Sequence, residues 1–345
     1  MQREIHGGNV YGREVRLDFS VNINPLGMPQ GVRQAITEYT AWDETYPDIE
    51  CTDLRRAIAQ KEGIAPEQIL CGNGASELLM AVVRAAAPEK CAIAAPSFSG
   101  YERAVRAAGA EPVFYELSHD TGFGYETVCD RLSKMTVQML FLCNPNNPTG
   151  NTIPEQILTE ILQFCASKKI RVVADECFLR FHPHYEKMSC KRFLKQYPNL
   201  LIVNAFTKFY AMAGLRLGYL MTGDLSLLHA WNVSSIAQRA GISALQDTEY
   251  EKRTRQLIEK ERRYLIQEFL KMGCTVFPSE ADYITFRLPQ EKTGFLLKER
   301  LLEGKILIRS CANYRNMPPD CYRIAVKQHA DNEELVRQVW RILIQ

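Results

Sequence analysis

Residues 200–221 read LLIVNAFTKFYAMAGLRLGYLM. The opening LLIVN is apolar up to Asn204, as a strand covered on both faces requires. It delivers Thr207 and Lys208 to its carboxyl end, where open α/β sheets bind ligands. A lysine placed there is partly desolvated, which disfavours its charged form and frees the amine as a nucleophile. Arg216 follows eight residues later, a fixed positive charge suited to an anion, and a second short strand is expected over Leu217–Met221. Taken alone, the stretch reads equally well as a surface lysine and a structural arginine.

Working outward, further apolar runs predict strands at Gln68–Cys71, Cys91–Ala95, Gln138–Cys143 and Arg171–Ala174. Helical patterns lie between them at Glu77–Ala87, Tyr101–Ala108 and Pro154–Lys168. Strands alternating with helices imply a mostly parallel sheet with helices on both faces. After residue 235 the character changes. Residues 249–273 form a charged helix ending at Gly273, with Leu257, Ile258, Leu265, Phe269 and Leu270 as its apolar stripe. Short strands follow at Cys274–Pro278, Asp282–Arg287 and Ile306–Ile308, which read as a small α+β unit. The Pro- and Gly-punctuated N-terminal segment is expected to pack against it. The expected division is a large domain over residues 40–235 and a small domain from 1–39 and 236–345.

Three more motifs sit where strands end. VVADECF (172–178) places Asp175 at the end of a buried run, a costly position for a carboxylate without a partner. A protonated heterocyclic nitrogen is one such partner, and a helix-capping role is the plainer reading. NPNNPTG (144–150) makes a rigid turn that projects its Asn side chains over the sheet end. GNGASE (72–77) opens a helical pattern from a Gly-rich turn, a phosphate cradle by geometry. Together they bring an amine, a carboxylate, an amide and an anion nest to one edge of a sheet. Pyridoxal phosphate needs that set.

Composition narrows the field. The 345 residues are 46% hydrophobic and 24% charged, which excludes a disordered, coiled-coil or collagen-like chain. With 42 basic and 40 acidic residues the net charge is +2, which argues against a dedicated nucleic-acid or anionic-membrane surface. No apolar run approaches the roughly 20 residues a bilayer requires, and the charged first residues do not read as a signal peptide. The 11 cysteines form no C-x-x-C pair, which fits reduced thiols in a cytoplasmic protein. His182 and His184 lack acidic neighbours at ligand spacing, so no metal is expected.

On these motifs the chain resembles the fold-type I pyridoxal-phosphate enzymes of the class I/II aminotransferase superfamily, from His6 to about Lys327. HGGN (6–9), DFSVNINPLGMP (18–29), YPD (46–48), FTKFYA (206–211) and ILIRSCANY (306–314) resemble its threonine-phosphate decarboxylases. Histidinol-phosphate aminotransferases share the cofactor motifs and usually lack HGGN and RSCANY. The resemblance implies a seven-stranded, mostly parallel sheet plus a smaller α+β domain, with pyridoxal 5′-phosphate as cofactor. It implies Lys208 as the cofactor-bonding lysine and Asp175 as partner of the ring nitrogen. Asn147 would bond the ring 3-hydroxyl, and Phe98 in PSFSGY would stack on the ring. Gly74, Ala75, Thr207 and Arg216 would hold the cofactor phosphate. Tyr46 would reach the phosphate of the other subunit, implying a homodimer. Arg323 in YRIAV would take the substrate α-carboxylate. His6, Gly7, Asn22, Asn147 and Arg309 would complete a site for a phosphorylated amino acid, with Arg309 and His6 nearest its phosphate. Where many aminotransferases carry a Tyr, this chain has Phe178. The implied reaction is decarboxylation of L-threonine O-3-phosphate, with transamination as the alternative.

Overall fold

The computed structural model describes residues 7–8, 10–39, 45–119, 121–222, 232–292, 294 and 296–344. Among them thirteen strands form three sheets. In chain order they are β1 (Leu17–Asp18), β2 (Ile69–Gly72), β3 (Lys90–Ala95), β4 (Glu111–Glu116), β5 (Met139–Cys143), β6 (Arg171–Asp175) and β7 (Leu200–Ala205). Then come β8 (Gly218–Met221), β9 (Thr275–Val276), β10 (Tyr283–Arg287), β11 (Ile306–Leu307), β12 (Arg309–Ser310) and β13 (Cys321–Ala325).

The large sheet has seven strands in the order β2-β8-β7-β6-β5-β3-β4. Only β8 runs against its neighbours. The carboxyl ends of β2, β5, β6 and β7 therefore share one edge, and β8 starts from that edge. Strands β5 and β7 are buried at every residue, which is why they read as unbroken apolar runs. Helices Ala75–Ala86, Gly100–Ala107 and Glu155–Ser167 cover the faces, close to their expected bounds.

Strand β4 is absent from the runs expected on sequence. It lies at the sheet edge, and its terminal residues Glu111 and Glu116 are exposed. Charges of that kind protect an edge and hide its apolar pattern. The expected strand Ile306–Ile308 is divided. β11 pairs in parallel with β1, and beyond Ile308 β12 pairs with β13. The N-terminal segment is thereby woven into this part of the chain. Phe19 N–H donates to Leu307 and Ala325 N–H donates to the Phe19 carbonyl.

The long helix spans Thr248–Lys271 and buries Tyr250, Thr254, Ile258, Leu265 and Phe269. Leu270 is not part of that stripe and is exposed. It follows Phe269 by about 100° of rotation, which turns it off the packed face. All 11 cysteines are free, and nine of them are buried. No helix among the described residues is long and apolar enough to cross a membrane.

Candidate active site

A cavity of about 230 Å³ opens at the shared carboxyl edge of the large sheet. Eleven of the residues singled out on sequence line it: Gly7, Asn22, Ala75, Phe98, Asn147, Asp175, Thr207, Lys208, Arg216, Arg309 and Arg323. Gly74 lies just behind the wall. Tyr46 is exposed and does not line the cavity. His6 falls outside the described residues.

Lys208 sits in the short turn of helix Phe206–Phe209 that β7 runs into. Burial pushes its amine below the usual lysine range. The Asp282 carboxylate opposes that shift, and the Arg323 and Arg216 guanidiniums reinforce it. The turn is clamped from the N-terminal segment. Asn24 N–H donates to the Lys208 carbonyl (3.1 Å), and the Asn24 amide donates to Phe209 O (2.7 Å) and Thr254 Oγ1 (2.8 Å).

Asp175 ends β6 and is buried. Its Oδ2 accepts from the Tyr101 hydroxyl (2.8 Å) and its Oδ1 from Cys177 N–H (3.0 Å). Burial raises its carboxyl above the usual range, and the Cys177 thiol and N–H and the Tyr101 hydroxyl pull it back only in part. A cationic partner arriving in the cavity would restore the ionised form.

The anion end is built from the turn after β2. Gly74 has φ +80°, a backbone that L side chains rarely adopt, and a Cβ there would come within 2.7 Å of the Arg216 guanidinium. The helix beginning at Ala75 has no side-chain cap, so its leading N–H groups stay available, and Ala75 and Ser76 line the cavity. Arg216 itself adopts φ +53°, in the bend that reverses the chain into β8.

The opposite wall comes from the C-terminal sheet. One Arg323 Nη donates to Asn147 Oδ1 and contacts the Tyr314 hydroxyl (3.4 Å), and the other donates to Ser20 O (3.0 Å). Tyr314 also donates to Asn147 Oδ1 (3.2 Å). Guanidinium has no acceptor, so Asn147 must present its oxygen there, which leaves its NH₂ as the free donor. Arg309 bonds Ser310 O (2.6 Å) and Asn313 Oδ1 (2.6 Å), and its guanidinium lies 5.2 Å from the Tyr314 ring centre. Gly7 is pressed onto this wall. A Cβ there would approach Ser20 O to 2.2 Å. The Asn22 carboxamide oxygen is buried without a donor.

Sequence reading missed Tyr101, Tyr314 and Asp282. Tyr101 is one helical turn beyond Phe98 in PSFSGY, and Tyr314 closes RSCANY, so both stood inside quoted motifs. His182 has an acidic neighbour from far along the chain, which spacing in the sequence does not show. Glu280 Oε1 lies 3.4 Å from His182 Nε2, brought there by a contact 98 residues away in the chain. Among the described residues no group of three or more His, Cys, Asp or Glu side chains is arranged to hold a metal ion.

The donor set fits pyridoxal phosphate on three observations. A cradle closed to any Cβ at Gly74 meets an uncapped helix start and a guanidinium. A buried acid lacks a cationic partner. An amine held down in basicity lines the same cavity.

Comparison with known proteins agrees with this architecture. The family described as Aminotransferase class I and II matches residues 14–339. The chain is similar to the threonine-phosphate decarboxylase of Salmonella typhimurium, at 34% identity over 98% of this chain and 96% of that one. It is also similar to the crystal structure of histidinol-phosphate aminotransferase from Clostridium acetobutylicum, with TM-score 0.87 and 31% identity, covering 95% and 99% of the two chains. The L-threonine-O-3-phosphate decarboxylase from Porphyromonas gingivalis shares the fold, with TM-score 0.81 and 23% identity, covering 95% and 100%.

Proposed function

The chain belongs to the aminotransferase class I and II family, whose enzymes use pyridoxal 5′-phosphate, and from that premise we propose that it decarboxylates L-threonine O-3-phosphate. The product would be (R)-1-aminopropan-2-ol O-phosphate, a building block in cobalamin biosynthesis. One observation carries the reading. Two buried guanidiniums, Arg309 and Arg323, stand on one wall with Tyr314 between them. A substrate that carries both a carboxylate and a phosphate offers one anion to each guanidinium. The near full-length similarity to the Salmonella decarboxylase supports it.

When bound, the cofactor supplies a protonated ring that draws electrons from whichever α-carbon bond stands perpendicular to it. The chain's own residues do the rest. Lys208 would hold the cofactor through its amine. Asp175 keeps the ring nitrogen protonated. Asn147 turns its NH₂ to the ring hydroxyl, and Phe98 covers the ring. Gly74, Ala75, Thr207 and Arg216 hold the cofactor phosphate. Tyr46, exposed here, would serve the partner subunit's cofactor in a homodimer. Arg323 takes the α-carboxylate, and Arg309 with His6 takes the substrate phosphate against Gly7 and Asn22. Decarboxylation breaks the bond from the α-carbon to the carboxylate, and Lys208 Nζ would supply the proton that replaces it. We further propose the division into a large domain (40–235) and a small one (1–39 and 236–345), and a cytoplasmic location.

Purified holoenzyme given L-threonine O-3-phosphate should release carbon dioxide stoichiometrically with the phosphorylated amino alcohol. The 31% identity to the Clostridium structure favours a second reading, transamination of histidinol phosphate. Glutamate formed from 2-oxoglutarate and histidinol phosphate, without carbon dioxide from phosphothreonine, would establish it and overturn the first.

A further inference from the structure

Arg309 and Arg323 are direct partners across the antiparallel pair β12–β13. Side chains in such a register share a face and stand close, and like charges there repel. Each guanidinium therefore needs acceptors of its own to fix it. Arg323 has Asn147 and Ser20. Arg309 has Ser310 O (2.6 Å) and Asn313 Oδ1 (2.6 Å), one on each terminal nitrogen, and the Tyr314 ring centre at 5.2 Å.

Asn313 is exposed, whereas the arginine it holds is buried. It belongs to the loop after β12, and the far end of that loop is anchored on the large sheet. The Asn316 amide donates to Ala95 O (3.1 Å), at the end of β3, and to Leu117 O (2.8 Å), just past β4. Arg315 pairs with Glu102 (3.2 Å), and its guanidinium lies 4.2 Å from the Phe114 ring centre. A second cavity, of about 290 Å³, is lined by this loop and by the start of the helix Gly100–Ala107. Arg309, Phe98 and Tyr314 line both cavities, and Asn313 lines the second. The Arg309 fork thus borders two open spaces, and its bonds decide where it points. A guanidinium has five N–H donors, so these two bonds leave donors for an incoming phosphate, which need not displace Asn313.

We propose that Asn313 is a positioning residue acting through Arg309: its carboxamide oxygen fixes the guanidinium fork for the substrate's phosphate ester. The inference rests on the reading of Arg309 as the phosphate-binding guanidinium. It holds for decarboxylation and transamination alike, because phosphothreonine and histidinol phosphate both carry the ester. Without Asn313 the fork loses the acceptor on one terminal nitrogen and meets the phosphate less ordered. Asn313 does not line the cavity that holds Lys208, so the loss should fall on substrate binding.

The test compares wild-type and Asn313→Ala holoenzyme in steady-state kinetics with L-threonine O-3-phosphate. The value of kcat/KM should fall roughly tenfold, as for one hydrogen bond to a charged group, with most of the loss in KM. In an Arg309→Lys background, which keeps the charge but has no fork to orient, the same change should cost about twofold or less. Should alanine unsettle the loop, Asn313→Ser, too short to reach the guanidinium, is read the same way. A folded variant with the wild-type KM overturns the proposal and leaves the decarboxylase reading intact. So does an equal loss in both backgrounds, or a loss confined to kcat or to cofactor uptake, which marks a merely structural residue. A wild type that instead transaminates histidinol phosphate overturns the decarboxylase reading alone, and the same comparison is then made with that substrate. A wild type that accepts neither phosphate ester overturns both.

Discussion

Removing one oxygen, in Tyr101→Phe, isolates what Asp175 does. The Tyr101 ring is fully buried, stacked on Phe141 at 5.1 Å between centres and edge-on to Phe98 at 5.5 Å. Phenylalanine keeps both contacts, so the change deletes only the 2.8 Å bond to Asp175 Oδ2. A hydrogen bond to a charged acceptor contributes about 1.5–3 kcal/mol. At about 1.4 kcal/mol per unit, its loss should raise the Asp175 pKa by about one to two units. The direction follows from geometry: burial already lifts this carboxyl, and the variant leaves only the Cys177 thiol and N–H to pull it back. Asp175 then gives up its charge sooner on acidification. The acid limb of kcat/KM should move to higher pH by about one unit or more, and the cofactor should bind roughly tenfold more weakly, read by equilibrium dialysis. An acid limb and a cofactor affinity both unchanged in a folded Tyr101→Phe enzyme would refute the view that the Asp175 charge faces the cofactor.

Three further outcomes follow from the same geometry. Lys208→Ala should fold, as circular dichroism would show, yet lose turnover and the lysine-dependent visible band when pyridoxal phosphate is added. Gly74→Ala forces a side chain into φ +80° against Arg216, so cofactor affinity should fall at least tenfold while the thermal midpoint of the apoenzyme changes little. Glu62 is buried against Arg180, Lys191 and Tyr219, and these partners hold its carboxyl at about 2 against the drive of burial. A depressed carboxyl stabilises the fold above its unfolded value near 4.5. That contribution, on the order of 3 kcal/mol, should fade as the pH drops from there through about 2. Urea midpoints of the wild type should therefore fall steeply over that window, and those of Glu62→Gln should be lower at neutral pH and flatter.

The large sheet was legible because doubly covered strands must be apolar throughout, as β5 and β7 are. Strand β4 was not, since its edge position tolerates Glu111 and Glu116. The break at Ile308 was hidden for a different reason. Which neighbour a short strand takes is settled by contacts with residues 17–18 and 321–325, and nothing in the run itself encodes them. The site shows the same contrast. Lys208, Asp175 and Asn147 announce themselves because a polar residue at the end of a buried run needs an explanation. Tyr101 and Tyr314 do not, because a tyrosine is at home in any core. Their importance lies in bonds to Asp175, 74 residues away, and to Asn147, 167 residues away. Asp282 was read only as the start of a strand. Its complete burial is a property of the folded surroundings and has no local signature.

The geometry also bears on why residue inventory alone does not separate two reactions in one family. Decarboxylation and transamination differ in which α-carbon bond stands perpendicular to the ring, and that torsion is set by where the carboxylate is held. The holder proposed above, the Arg323 guanidinium, has its plane fixed from four directions. Asn147 and Ser20 take one Nη each, the Tyr314 hydroxyl braces the first, and the Tyr283 ring lies 5.4 Å from its carbon. These four come from the turn after β5, the N-terminal segment, the loop after β12 and the first residue of β10. The direction of the Arg323 guanidinium is therefore fixed by how the C-terminal sheet and the N-terminal segment seat against the large sheet. A substitution that tilts that seating by a few tenths of an ångström could shift the balance between the two reactions without touching Lys208, Asp175 or Arg323. On the proposed role of Arg323, the reaction outcome would be a property of packing between sheets, carried to the substrate by one arginine.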